Sequence, residues 1–268
     1  MRKILLFFIS IHSVFLSGQE LFVVTDPASN VPADALSINI MQSLFKENTK
    51  DGYNYHFMPE LSYGLNKNLM FRTSAFISNR NTTLVTEGAS FFTKYRFYSV
   101  DDQNSHLRMA AYARYSFNNS DIHQEQIEIL GHNSGYEVGM IATKLIKKLA
   151  ISSSISYEKA LDNNPDYKYP DNQASVATNY TLSFGRLMHP KKYTNYKQAN
   201  INLMLEIVGQ TLNTKGKTFI DVVPAIQCIY NSQWRFDLAY RYQIVNTMVR
   251  SAPNGVYLNL YYTFFNVI

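Results

Sequence analysis

Between Trp234 and Ile244 apolar and polar residues alternate almost without a break. Trp234, Phe236, Leu238, Tyr240, Tyr242 and Ile244 fall on one face, and Arg235, Asp237, Ala239, Arg241 and Gln243 on the other. A period of two is the signature of a β-strand whose faces meet different surroundings. After the turn-rich stretch Ser251-Ala252-Pro253-Asn254-Gly255 the alternation resumes, with Val256, Leu258, Leu260, Tyr262 and Phe264 set against Tyr257, Asn259, Tyr261 and Thr263. The same pattern runs back along the chain and predicts twelve strands, at roughly 36–45, 54–64, 68–78, 84–98, 105–117, 135–146, 149–161, 174–188, 199–213, 218–230, 234–247 and 255–265. No stretch with a helical period interrupts them. Pro224, which lacks a ladder donor, predicts a bulge in the tenth strand.

The charges decide which face points where. In a water-soluble barrel the enclosed face is apolar, yet here charged residues occupy the face opposite the aromatic and aliphatic one. The greasy face is therefore predicted to meet lipid. Most segments run 10 to 15 residues, longer than the five or six usual in globular proteins and suited to a tilted membrane strand. If the N-terminus is periplasmic, the short turns Leu65-Asn66-Lys67, 99–104, Lys147-Lys148, 189–198 and Asn231-Ser232-Gln233 lie on the periplasmic side. The two longest connections, 118–134 and 162–173, then lie outside. Lys144 falls on the lipid face of the sixth strand, near the lower rim, where a lysine can snorkel. These features predict an all-β fold: a single transmembrane antiparallel up-and-down β-barrel of about 12 strands, spanning 36–268. Open edges do not survive in lipid, so the sheet closes.

Composition sharpens this. The chain has 20 Tyr and 17 Phe but one Trp, and only 17% charged residues, a balance suited to interfacial aromatic girdles. Residues 1–18 read as a signal peptide: Arg2-Lys3, an apolar run from Ile4 to Leu16, then Ser17-Gly18. That run is too short for a spanning helix. Segment 19–35 is irregular, broken by Asp26-Pro27, Asn30 and Pro32, and is expected on the periplasmic side or folded into the barrel mouth. The formal charge is +5; without Arg2 and Lys3, 23 basic residues face 20 acidic ones, and their scatter gives no nucleic-acid footprint. The single cysteine, Cys228, excludes an intramolecular disulfide and falls on the outward face.

The inward face collects Glu60, Arg72, Lys94, Arg96, Arg108, Arg114, Glu158, Glu206, Asp221, Arg235, Asp237 and Arg241. Positive charge gathers on strands three to five, and the acids lie more on strands seven to eleven. Two readings stand side by side: a polar path or binding cavity for a small solute, or charges that pair and fill the lumen. The loop residues Asp121, His123, Glu125, Glu128 and His132 carry metal-ligand atoms but match no metal motif, so no metal or other cofactor is expected. Gly131-His132-Asn133-Ser134-Gly135 is similar to the His-x-Ser pair of the outer-membrane phospholipase A family, in which a histidine two residues from a serine can activate it. Here Gly135-Tyr136 stands where that family has Asn-Gly, and the seventh strand offers no convincing orienting Asn.

The aromatic-rich last strand resembles that of bacterial outer-membrane β-barrels, where it commonly serves as an assembly signal. Pro59-Glu60-Leu61-Ser62-Tyr63-Gly64-Leu65-Asn66-Lys67-Asn68-Leu69 resembles a hairpin of transporter-like barrels related to the phenol-degradation MetA group. The resemblance implies passage of small solutes, hydrophobic ones included, without catalysis, residence in the outer membrane of a Gram-negative bacterium, and lipid and the barrel-assembly machinery as partners. A lipid hydrolase of the phospholipase A type, or an adhesive barrel binding through its long loops, are the alternatives.

Overall fold

The computed structural model describes residues 22–48, 52–80, 83–102, 105–190 and 198–267. Twelve strands follow one another: β1 (Leu36–Lys46), β2 (Tyr53–Gly64), β3 (Leu69–Ser78), β4 (Val85–Asp102), β5 (Ser105–Asn118) and β6 (Ser134–Ile146), then β7 (Leu149–Leu161), β8 (Val176–His189), β9 (Asn200–Leu212), β10 (Thr218–Tyr230), β11 (Trp234–Asn246) and β12 (Asn254–Phe264). Each is antiparallel to its neighbours in sequence. The sheet closes where β1 meets β12, in a register running from Leu36↔Phe264 to Lys46↔Asn254. Closure leaves no unpaired strand edge, the condition for a sheet in lipid.

Two expectations need correction. The turn expected at 99–104 is largely strand: β4 continues to Asp102, and Ser99↔Arg108 through Asp102↔Ser105 extend the β4–β5 hairpin. Residues 97–102 are exposed, so the extra length protrudes rather than lining the barrel. In β10 the register shift falls between Ile220 and Asp221, not at Pro224, which sits opposite Leu205 of β9. The expected signal peptide, 1–18, and most of the 189–198 turn lie outside the described residues.

The faces sort as the alternation requires. Leu238 is 50% exposed, and its neighbour Asp237 is 1% exposed. Phe91, Tyr115, Val138, Ile155, Leu203, Ile226 and Leu258 are exposed around the wall, an apolar belt that only lipid can cover at acceptable cost. Lys144 is exposed near the Lys147-Lys148 turn, and Cys228 is half-buried. Aromatic contacts gather toward both ends of the belt. Trp234 packs on Tyr262 (4.5 Å between ring centres) and Tyr262 on Phe264 (4.6 Å) at the end where β1 begins and β12 finishes, the terminal end of the barrel. Tyr136–Tyr157 and Phe91–Phe117 lie toward the other end.

Candidate functional site

The lumen is filled from both ends by chain that is not part of the wall. From the terminal end, residues 22–35 run across the interior. Glu206, at the centre of β9, accepts hydrogen bonds from the backbone N–H groups of Val23 (2.8 Å), Val24 (3.1 Å) and Thr25 (2.8 Å). Bonds of this charged kind contribute about 1.5–3 kcal/mol each. Asp26 meets the opposite wall, where Arg72 of β3 donates to it at 2.7 Å and Arg114 of β5 lies 3.8 Å away. Lys94 of β4 donates to the carbonyls of Pro27 (2.7 Å) and Ser29 (2.8 Å), and Arg108 of β5 donates to Ser29 Oγ (2.9 Å). Phe22 and Val23 anchor the far side in an apolar cluster with Met204, Val223 and Ala239.

This strap explains a glycine in the Pro59–Leu69 hairpin. Asp34 N–H donates to the Gly64 carbonyl and Gly64 N–H to that of Ala35. A Cβ on Gly64 would stand 2.0 Å from the Pro32 carbonyl oxygen. Only glycine lets the strap pass so close.

From the opposite end, the β5–β6 connection (119–133) folds inward over the mouth. Ile127 and Ile129 are each 1% exposed and pack with Ala177, Leu212, Phe219 and Met248. Gln210 of β9 accepts from Ile127 N–H (3.0 Å) and donates to its carbonyl (2.7 Å). Glu158 of β7 accepts from Ile129 N–H (3.2 Å), Asn179 (2.6 Å) and Gln210 (3.0 Å). Beside the strap a cavity of about 230 Å³ runs inward from the terminal rim at Gln233, Trp234 and Thr263, past Asp26, Glu60, Arg72 and Arg114, to Glu137 and to Leu130 of the connection.

The segregation of charge on the inward face thus has a specific outcome: six of the twelve residues, Arg72, Lys94, Arg108, Arg114, Glu206 and Arg235, hold the strap. Arg235 donates to the Phe22 carbonyl and, at 2.9 Å, to Asp237. Glu60 binds Asn39 (2.5 Å) and Ser74 (3.1 Å), and Arg114 pairs with Glu137 (3.0 Å). Asp221 receives Arg241 (2.6 Å) and Arg250 (2.7 Å). Arg96 lies apart at the terminal rim, donating to the Lys67 carbonyl.

No protein-family model and no curated protein matches the chain. Among solved structures, an outer-membrane channel from Pseudomonas putida F1 superposes with a TM-score of 0.56 at 12% identity, over 89% of this chain and 98% of that one. The KdgM porin gives a TM-score of 0.46 at 12% identity, over 85% and 99%. The fold is that of the bacterial outer-membrane β-barrels. At these identities the likeness is one of architecture, and the residues of the lumen speak only through their own contacts.

Those contacts give His132 and Ser134 separate employment. Ser134 Oγ accepts from Asn118 N–H (2.8 Å), while Ser134 N–H donates to Asn163 (2.6 Å). His132 Nδ1 instead faces Arg80 (2.6 Å) and Gln124 (3.3 Å). The loop acids are also taken: Glu125 pairs with Lys217 at 2.6 Å, and His123 lies 3.7 Å from Asp121. Among the described residues no three His, Cys, Asp or Glu side chains converge. Sequence reasoning missed Asp26, Arg80, Glu87, Glu137 and Arg250. Glu137 was within reach, since it sits on the inward parity of β6 opposite Arg114. Asp26 lies in the segment before β1 and Arg80 and Arg250 lie in connections, where periodicity assigns no face.

Proposed function

We propose that this chain is a non-enzymatic outer-membrane channel for small solutes, closed in this state by its own strap and its own outer connection. The observation that carries the reading is a cavity of about 230 Å³ that runs beside the strap from the terminal rim inward to Leu130 of the connection, two segments neither of which belongs to the barrel wall. Both are held mainly by side-chain hydrogen bonds and apolar contacts, so either can leave while the strand ladder stays intact. The exposed apolar belt supports membrane residence, and the hairpin resemblance to MetA-related transporter-like barrels points to small solutes. The mixed charge of the cavity (Asp26, Glu60 and Glu137 against Arg72, Lys94 and Arg114) suits polar ones.

Planar-bilayer recording tests this. The unmodified protein is expected to show brief, small openings. Glu206→Gln combined with Asp26→Ala removes the strap's carboxylate contacts at both walls and is expected to raise open probability several-fold. A barrel that folds yet stays silent, both unmodified and with those substitutions, would refute the channel reading. Sidedness has its own check: trypsin added outside intact cells should cut after the exposed Lys168 and spare Lys147-Lys148. Cleavage at the lysine pair alone would invert the orientation.

A further inference from the structure

We propose that the stacked histidines His56 and His132 make the seating of the β5–β6 connection proton-dependent, so that acid outside the cell releases it from the barrel mouth. The proposal rests on the channel reading only for what release does to solute flow. Release itself is a property of the connection.

His132 lies near the end of that connection, and its ring stacks on His56 of β2, with centres 5.2 Å apart and planes 14° from parallel. Arg80, from the β3–β4 connection, approaches Nδ1 of His132 at 2.6 Å. A guanidinium can only donate, so Nδ1 must hold its lone pair toward it and the ring proton must sit on Nε2. Gln124 Nε2 also faces Nδ1, at 3.3 Å. Protonating Nδ1 sets N–H against N–H and breaks one of the two contacts by which Arg80 holds the connection, the other being the Gly131 carbonyl. Arg80 has no easy retreat: it is 5% exposed, pairs with Glu87 of β4 at 3.0 Å, and donates to the Gly131 carbonyl.

The charged surroundings pull both ways. Arg80, His56 and His123 oppose a proton on His132, whereas Glu128, 3.5 Å from Nε2, and Glu87 favour one. Glu87 is already engaged by Arg80 and by Ser78 (2.7 Å). Asp221, Arg241 and Arg250, from β10, β11 and the β11–β12 connection, form a separate ion set, from which Arg250 also donates to Gln126 of the β5–β6 connection at 2.6 Å. Burial, then Arg80, His56 and His123, holds His132 well below the usual histidine value near 6.5. A group depressed in the seated state and ordinary in the released state fixes the sign. Seating is complete above about pH 6.5 and weakens as pH falls below it. The released-to-seated ratio grows about tenfold per pH unit for each histidine that seating keeps neutral.

The test uses the full-length barrel in liposomes, with Ile127→Cys in a Cys228→Ser background and a membrane-impermeant maleimide. Labelling is normalised to Tyr167→Cys, an exposed site on the neighbouring connection, which removes the pH dependence of the thiol itself. The normalised rate should rise about tenfold or more per pH unit below about 6.5. His132→Gln keeps an acceptor for Arg80 without a titrating group and should flatten the profile, while His56→Phe keeps a stacking ring and should make it shallower. If His132→Gln leaves the connection unseated at every pH, the His56→Phe slope decides. A flat profile for the unsubstituted histidines between pH 7.5 and 5, or an unchanged slope in His56→Phe, overturns the proposal. Acid-dependent labelling without any conductance would keep the switch and discard the channel reading instead.

Discussion

Asp221→Ala is expected to cost the folded barrel about 3–5 kcal/mol, the range for removing one partner from a buried ion pair. Asp221 is fully buried and receives Arg241 Nε at 2.6 Å and Arg250 through both terminal nitrogens at 2.8 and 2.7 Å. The side chains of Arg250 and Arg241 are only 1% and 10% exposed, so water screens little of what is lost. Two guanidiniums would be left facing one another, with Phe219, 3.9 Å beneath Arg250, as a poor substitute for a carboxylate. Arg250 also donates to Gln126 of the β5–β6 connection at 2.6 Å, so the connection should loosen as well. Urea titration of folding into phospholipid vesicles, read by Trp234 fluorescence, measures the effect. Adding Arg241→Met should recover part of it, because one unpaired charge then remains rather than two. A loss below about 1 kcal/mol would mean that the carboxylate behaves like an exposed one.

Leu238→Arg should cost about 2–4 kcal/mol, the penalty for a basic side chain facing lipid near the bilayer midplane. The magnitude discriminates between solvents. Leu238 is half exposed, flanked by the equally outward Ile226 and Leu258, and in water such a substitution would stay within about 0.5 kcal/mol. Asp237, one residue away and 1% exposed, is held by Arg235 inside the lumen. Single cysteines at 237 and 238 in a Cys228→Ser background separate the faces directly. A lipid-phase quencher should reach 238 and not 237; the reverse would place β11 one residue out of register.

The alternation of side chains is a local property, and it was enough to determine the barrel. Twelve strands and most of the connections among the described residues can be placed from period and turn residues, because burial on one face and lipid on the other act on every second residue. The Lys147-Lys148 turn and the Asn231-Ser232-Gln233 turn fall where the chain says. β4 overran its expected end because a hairpin can continue past the wall, where no change of solvent face marks a stop. The state of the lumen was not legible. The inward charges Glu206, Arg72 and Lys94 are readable from parity alone, but whether they meet water, each other or a third element depends on a segment with no period of its own. Only the closed barrel brings Val23–Asp26 within reach of β9 and β3, across 182 and 46 positions of sequence. The same holds for His56, His132 and Arg80, which three separate elements deliver to one point at the mouth. Strand pairing is decided by neighbours along the chain, whereas what fills the barrel is decided by which distant groups closure brings face to face.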